Sequence, residues 1–438
     1  MTVIRVATAN TFDATVSRIT QRSAELALTQ EKLSAGKRVL RASDDPVAAT
    51  LAERESNRLM RTEADQRALE RSRSGLQQAE STLGQMGDVL ARFKELLVQG
   101  GNASLSASDR RSVALEMRGL RDQLLNLANT QDTEGNALLG GLGTTSSSGR
   151  PFAEIFGTTP PPGASRVAFQ GLAGQTAPTE VGLPNRVDGD FALMRNLSGD
   201  GTLTVQSTAG HVLVTGTSVT ATPATNGNVF PFDATASSQG RYEVSVTSLA
   251  GPPQTLQLSV VRVDRNSPTP ATPPMAPIDI GPAGPDGTIN LSHRTFVFEG
   301  VQVTLNGQAA AGAAFVLQPS EPTNLFASLQ RAIDALESPG LHPTGRTQEL
   351  GRVHQEMESG QDRLLLVQGR VGELLRRSES IEGLLQDRSV AGQRELSSLT
   401  DLDMVKGISE FQTQQLGLQA ALQSYAQVQR LSLFQFIA

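Results

Sequence analysis

The 438-residue chain is mildly acidic, with 38 Lys and Arg against 44 Asp and Glu and a formal charge of −6. That balance, with no basic cluster interleaved with aromatics, argues against nucleic acid or an anionic membrane as the main partner. Cysteine is absent, which excludes thiol nucleophiles, thiolate zinc sites and disulfide staples.

Met1–Ala14 lacks the apolar run and small-residue site of a cleavable secretory signal, so none is expected, and no apolar run is long enough to span a bilayer. Val16, Ile19, Leu26 and Leu33 then set out an apolar stripe, the last three seven residues apart. The stretch SAGKRVLRASDDPVAAT (Ser34–Thr50) offers two readings. Gly36, Lys37 and the serines suggest a phosphate loop, and Asp44 with Asp45 an acid pair or metal site. The helical reading is simpler. Gly36 suits the left-handed position that ends a helix, residues 39–42 form an elbow, and Asp45 caps a helix whose first residue is Pro46. Ser43 and Asp44 add acceptors and negative charge at that helix's positive end.

Beyond the elbow, Leu69, Leu76, Leu83, Leu90 and Leu97 recur every seven residues, with Ser72, Ala79, Met86 and Phe93 between them. This is a heptad seam on a long helix. After the loop Gln99–Ser106, Ser106–Asp109 reads as an S-x-x-D capping box. It opens a helix that carries Val113, Met117, Leu120, Leu124 and Leu127 on one face and doubles back on the first. Far downstream, Leu350, Val353, Met357, Gly360, Leu364, Val367, Val371, Leu374, Ser378, Ile381 and Leu385 repeat the heptad alternation. One amphipathic helix cannot bury its own stripe, so the two seams are expected to meet.

Between the helical flanks the composition changes. Of 22 prolines, all but Pro46, Pro339 and Pro343 lie between Pro151 and Pro322, where Lys is missing. The segments 202–208, 211–221, 241–249 and 256–264 alternate with period two and read as strands. RTFVFEGVQVTLNG (Arg294–Gly307) reads as two strands broken at Glu299-Gly300 and ending in an Asn-Gly turn. The proline-rich 266–287 reads as a loop, and GGLGTTSSSG (Gly140–Gly149) as a linker. The C-terminal segment carries Ile408, Phe411, Leu418, Leu422 and Tyr425 on one helical face with no obvious cap, followed by LSLFQFIA with Leu433 and Phe434. An apolar terminus of this kind wants a partner.

Catalytic signals are thin. The histidines are His211, His293, His342 and His354; HQEME at His354 is not H-E-x-x-H, and no G-x-S-x-G elbow accompanies the serines. Asn196-Leu-Ser and Asn290-Leu-Ser are sequons frequent by chance. No catalytic residue, metal ligand or cofactor-binding residue is assigned, and no enzyme is expected. An adhesin-like role for residues 151–322 stays open. The reading is an α+β multi-domain chain: a long coiled-coil-like helical bundle built from N- and C-terminal arms, with an inserted mainly-β domain. Its expected divisions are 1–42, 43–145, 146–322, 323–400 and 401–438.

EKLSAGKRVLRASDDPVAAT (Glu31–Thr50) resembles the N-terminal signature of the flagellin family, in its hook–filament junction branch. LRDQLLNLANTQDTEGNALLGG (Leu120–Gly141) and the terminal QLGLQAALQSYAQVQRLSLFQFIA are similar to two further motifs of that branch. The resemblance implies a structural axial protein of the bacterial flagellum joining hook to filament, or alternatively a flagellin-type filament subunit. It implies self-association in a ring or helical layer, with hook-associated protein 1 on the hook side and flagellin on the filament side. It also implies handling by an export chaperone and the flagellar type III export apparatus, an extracellular location, and terminal arms poorly ordered until assembly. The stripes Val16–Leu33 and Ile408–Phe434 then become assembly surfaces, and Lys37, Arg38 and Arg41 are expected to contact neighbouring subunits.

Overall fold

The computed structural model describes residues 3–144, 149–154, 166–199, 203–209, 213–219, 241–249, 254–263, 276–298, 301–341 and 343–437. Side chains are described for all of these except 3–12, 207–209, 213–219, 298 and 428–437. The chain divides into two compact units, residues 1–69 with 379–438, and residues 70–378.

Three helices open the chain: α1 (Val3–Ala35), α2 (Pro46–Gly100) and α3 (Ala107–Ala128). Three close it: α4 (Leu325–Glu337), α5 (Pro343–Thr400) and α6 (Met404–Ile437). Every seam position named above on α2 and α5 is buried, including Leu76, Leu83, Met86, Phe93, Val353 and Met357. In the unit 70–378 the two helices run antiparallel. Lys94 Nζ lies 3.5 Å from Gln361 Oε1, and a side chain at Gly87 would touch Leu364. The capping box closes as expected: Asp109 N donates to Ser106 Oγ (3.2 Å) and Ser106 N to Asp109 Oδ2 (3.1 Å).

Helix α4 lies in the flank read as helical, but carries no apolar seam in that reading. Asn324 caps it, accepting from Ala327 N at 2.8 Å, and Leu325, Phe326, Leu329, Ile333 and Leu336 enter the same core as the seams. It packs on α3, with Arg118 bridged to Glu337 at 2.7 Å. The short antiparallel pairs β1 (Gly143–Thr144) with β4 (Gly171–Leu172), and β2 (Phe152–Glu154) with β3 (Val167–Phe169), contribute Phe152 and Val167 to that core. The supposed linker Gly140–Gly149 is therefore structured at its start. Gly140 and Gly141 bridge to Asp188 and Leu172, because these glycines let backbone approach backbone. Residues 145–148 lie outside the described residues.

A narrow neck leads to the β body. Strand β5 (Asn196–Leu197) pairs with β16 (Pro322–Thr323), so the entering and leaving chains are hydrogen-bonded to each other. Between them, β6 (Leu203–Ala209), β7 (Leu213–Val219), β8 (Arg241–Leu249), β9 (Thr255–Val263) and β10 (Ile278–Pro282) are followed by β11 (Thr288–Asn290) and β12 (Arg294–Phe298). The last strands are β13 (Val301–Asn306), β14 (Gln308–Ala310) and β15 (Ala314–Pro319). One sheet has the order β10-β9-β8-β15-β6, a second β12-β13-β7, and β11 pairs with β14. Alternate residues of these sheets, among them Tyr242, Val244, Leu258, Val303, Leu305 and Phe315, form a second core. The expected loop 266–287 is corrected at Ile278–Pro282, an edge strand interrupted by a bulge at Asp279/Gly281. An edge tolerates Pro282 because no further strand needs its missing N–H. The Asn306-Gly307 turn joins no hairpin; the strand after it pairs with β11.

Leu83→Ala, at a fully buried seam position, is expected to lower the free energy of unfolding by about 2–5 kcal/mol. Leu115→Ala, on the exposed face of α3, should change it by less than about 0.5 kcal/mol. Urea titrations of the two variants measure the difference.

Candidate assembly interface

The elbow between α1 and α2 is built as the sequence suggests, and then goes further. Gly36 adopts φ +67°, and the helix end is a Schellman turn: Gly36 N donates to Leu33 O (3.3 Å) and Lys37 N to Lys32 O (3.2 Å). Asp45 Oδ1 accepts from Ala48 N at 3.0 Å, capping α2 at Pro46. Asp44 does a different job from the one expected. Its Oδ2 accepts from Leu40 N and Arg41 N, both at 3.1 Å, and so closes the elbow rather than the helix end.

The C-terminal connector pairs with this elbow. Arg38 N donates to Thr400 O at 2.7 Å and Leu402 N to Gly36 O at 2.9 Å, an antiparallel bridge between Lys37 and Asp401. The Arg38 guanidinium reaches Asp45 (3.0 Å) and Leu399 O (2.9 Å), while Arg41 pairs with Glu31 at 3.0 Å. Both arginines expected to contact other subunits thus hold intrachain partners. α6 has a cap that the sequence reading missed: Asp403 Oδ1 accepts from Val405 N and Lys406 N.

Backbone N–H donors hold the Asp44 carboxyl below the usual carboxylate value, those of Arg41 and Leu40 foremost. The Ala48 amide, then Arg38, does the same for Asp45. The Ser397 and Thr400 hydroxyls hold Asp401 down.

Beyond the elbow α1 and α6 form an antiparallel pair. Arg22 Nη1 donates to Gly417 O (3.0 Å) and Thr29 Oγ1 to Gln414 Oε1 (2.8 Å), and Leu33 packs at Gly407. The expected stripes divide into two groups. Ile19, Leu26, Leu33, Phe411, Leu418 and Tyr425 are half-buried, in register with the residues that touch across the pair. Val16, Ile408 and Leu422 are 39%, 46% and 47% exposed. Val405 and Leu416, which the sequence reading passed over, are 82% and 67% exposed. On α6, Met404, Val405, Ile408, Leu416 and Leu422 fall within about a third of the helix circumference, one apolar stripe open to solvent. The side chains of Leu433 and Phe434 lie outside the described ones.

In the same unit, residues 51–62 of α2 and 388–399 of α5 line a groove of about 800 Å³, with Arg54, Arg58, Arg61 and Arg388 around buried Gly392. Among the described residues no three His, Asp or Glu side chains converge as metal ligands. No described helix is long and apolar enough to cross a membrane. His354 is partly exposed beside Glu358 and His293 sits on an exposed turn; His211 and His342 lie outside the described residues. The Asn196 sequon is buried in the neck, and Asn290 is exposed.

Residues 6–144 match the family model described as the bacterial flagellin N-terminal helical region. The flagellar hook-associated protein 3 of Escherichia coli K12 is 25% identical over 445 residues, covering 99% of each chain. A flagellin of Bacillus subtilis is 30% identical over 129 residues, 29% of this chain and 42% of that protein. The crystal structure of hook-associated protein 3 from Legionella pneumophila superposes with a TM-score of 0.62 at 24% identity, covering 79% of this chain and 98% of that one, a likeness of fold.

Two predictions concern the elbow. Gly36→Ala keeps free space around its new methyl but forces a left-handed residue, at an expected cost of about 1–2 kcal/mol; thermal unfolding measures it. Because Asp44, Asp45 and Asp401 titrate below the ordinary Asp value of 3.8, their contribution is complete above that pH and lost as pH falls through the lowered values. Hydrogen exchange at Leu40, Arg41 and Ala48, corrected for intrinsic rate, should hold steady down to pH 3.8 and quicken below it.

Proposed function

We infer that the chain is a member of the hook-associated protein 3 branch of the flagellin family and a structural axial protein of the bacterial flagellum, joining hook to filament. The observation that carries this reading is collinearity. The match to the Escherichia coli relative runs across both helical flanks and the β body, 99% of each chain, whereas the flagellin match covers only 29% of this one. A filament subunit is the second reading, and that difference in coverage disfavours it.

In this reading residues 1–42 and 401–438 are the assembly arms. Residues 43–145 and 323–400 form the supporting bundle, and 146–322 the surface domain. The open apolar stripe of α6 supports the assignment, since surface of this kind gains about 25 cal/mol per Å² when a neighbouring copy covers it. Val16, Ile408 and Leu422 are the contacts proposed first, and Leu433 and Phe434 are proposed as interface residues with them. Ile19, Leu26, Leu33, Phe411, Leu418 and Tyr425 shape the pair that presents it. Copies associate in a ring or helical layer, with hook-associated protein 1 on the hook side and flagellin on the filament side. An export chaperone and the flagellar type III apparatus deliver the chain unfolded, without signal cleavage, to the outside of the cell. A chain without cysteine suits that route, having no thiol to crosslink on the way. No catalytic role is assigned.

Deleting residues 404–438 is expected to leave the urea transition of the 70–378 unit in place and to abolish incorporation into flagella. Flagella that assemble with the truncated chain overturn the reading. Copy number separates the alternatives: one ring's worth per flagellum fits a junction, and thousands fit a filament.

A further inference from the structure

The neck and the helical core meet at one buried carboxylate that neither the heptad seams nor the assembly reading uses. Glu356, on α5 beside the seam residue Met357, is fully buried. Its Oε1 accepts at 3.2 Å from the N–H of Gly199, two residues past the end of β5. Its Oε2 accepts from Ser328 Oγ of α4 at 2.5 Å and pairs with the Arg331 guanidinium. Its backbone carbonyl accepts from the Asn196 side chain of β5 at 2.7 Å. The returning strand is tied in by Ser198, whose N donates to Glu321 O (3.0 Å) and whose Oγ accepts from Glu321 N (2.9 Å). Gly199 holds φ +66°, and a side chain there would run into Leu203 O.

A carboxylate taken out of water this completely must be compensated by charge and hydrogen bonds, and these partners come from two places outside α5, the neck beyond β5 and helix α4. The two hydrophobic cores share no residue: one is built from the helices with β2 and β3, the other from residues 203–317. We propose that Glu356 is the clasp of the neck: it fixes the pose of the β body on the helical core by holding β5, α4 and α5 to one point, and loosening it frees the β body without melting either core. The inference does not depend on the assembly reading, because it concerns joints inside one chain.

The test uses the full chain. In Glu356→Gln, amide hydrogen exchange at Ser198, Gly199 and Glu321 is expected to quicken by about tenfold or more, the scale of a lost charged hydrogen bond. Amides of Val244 and Leu258 in the β core, and of Leu83 and Val353 in the helical core, should keep their rates. Unchanged neck rates, or equal acceleration at all these sites, overturn the proposal. Should that variant not fold, Asn196→Ala removes the side-chain bond from β5 to the Glu356 carbonyl while leaving the ion pair, and the same local pattern is expected. Because the chain has no native cysteine, spin labels at Leu115→Cys and Ser248→Cys report the pose directly. Their distance distribution should broaden when Glu356→Gln is added, and an unchanged distribution counts against the clasp.

Discussion

An apolar stripe on a long helix is unstable in water until something covers it, and here the cover comes from the far end of the chain. The seam on α2 and the seam on α5 are separated in sequence by the whole β body, yet every position of both is buried. Other features of the 70–378 unit follow from that pairing. α3 folds back to widen the core, and α4 closes it on the side where the chain returns from the neck. The entering and leaving chains of the β body lie side by side, and the short β5–β16 pair with the Ser198–Glu321 bonds makes the neck.

The seams were legible because heptad spacing is written in the residues themselves and needs no knowledge of the partner. The same holds for Arg241–Leu249, where strict alternation gave the strand to the residue, and for Gly36 and Asp45-Pro46, whose local chemistry dictates a stop and a start. What escaped was set by distant neighbours. Ile278–Pro282 carries two features that usually break strands, and becomes one only because β9 presents a free edge. α4 is 13 residues long between proline-bearing segments, too short for its stripe to stand out, although Asn324 was a cap in plain view. Glu356 looks like any polar residue beside a heptad position. Its burial depends on Ser328, Arg331 and Gly199, which no local pattern links to it.

The candidate interface shows the same division. Spacing identified the stripes on α1 and α6 without telling which positions face the other helix. The pair covers Ile19, Leu26, Leu33, Phe411, Leu418 and Tyr425 in part, and leaves Ile408 and Leu422 to water together with Val405 and Leu416. A helix pair satisfied on one side and bare on the other is stable enough to form and still has surface to gain from a neighbour.

The bridge between Lys37 and Asp401 bears on the order of events when the chain is made. Synthesis from the N terminus delivers α1, α2 and α3 long before α5 exists, so the α2 seam waits uncovered through most of translation. The β body, contiguous from residue 203 to 317, holds all its core residues by then. The last helices supply the missing halves of the helical core and of the elbow, closing a loop that spans most of the chain; its entropic cost rises only with the logarithm of its length. Such a chain is kinetically late at both ends, whatever its middle has already done.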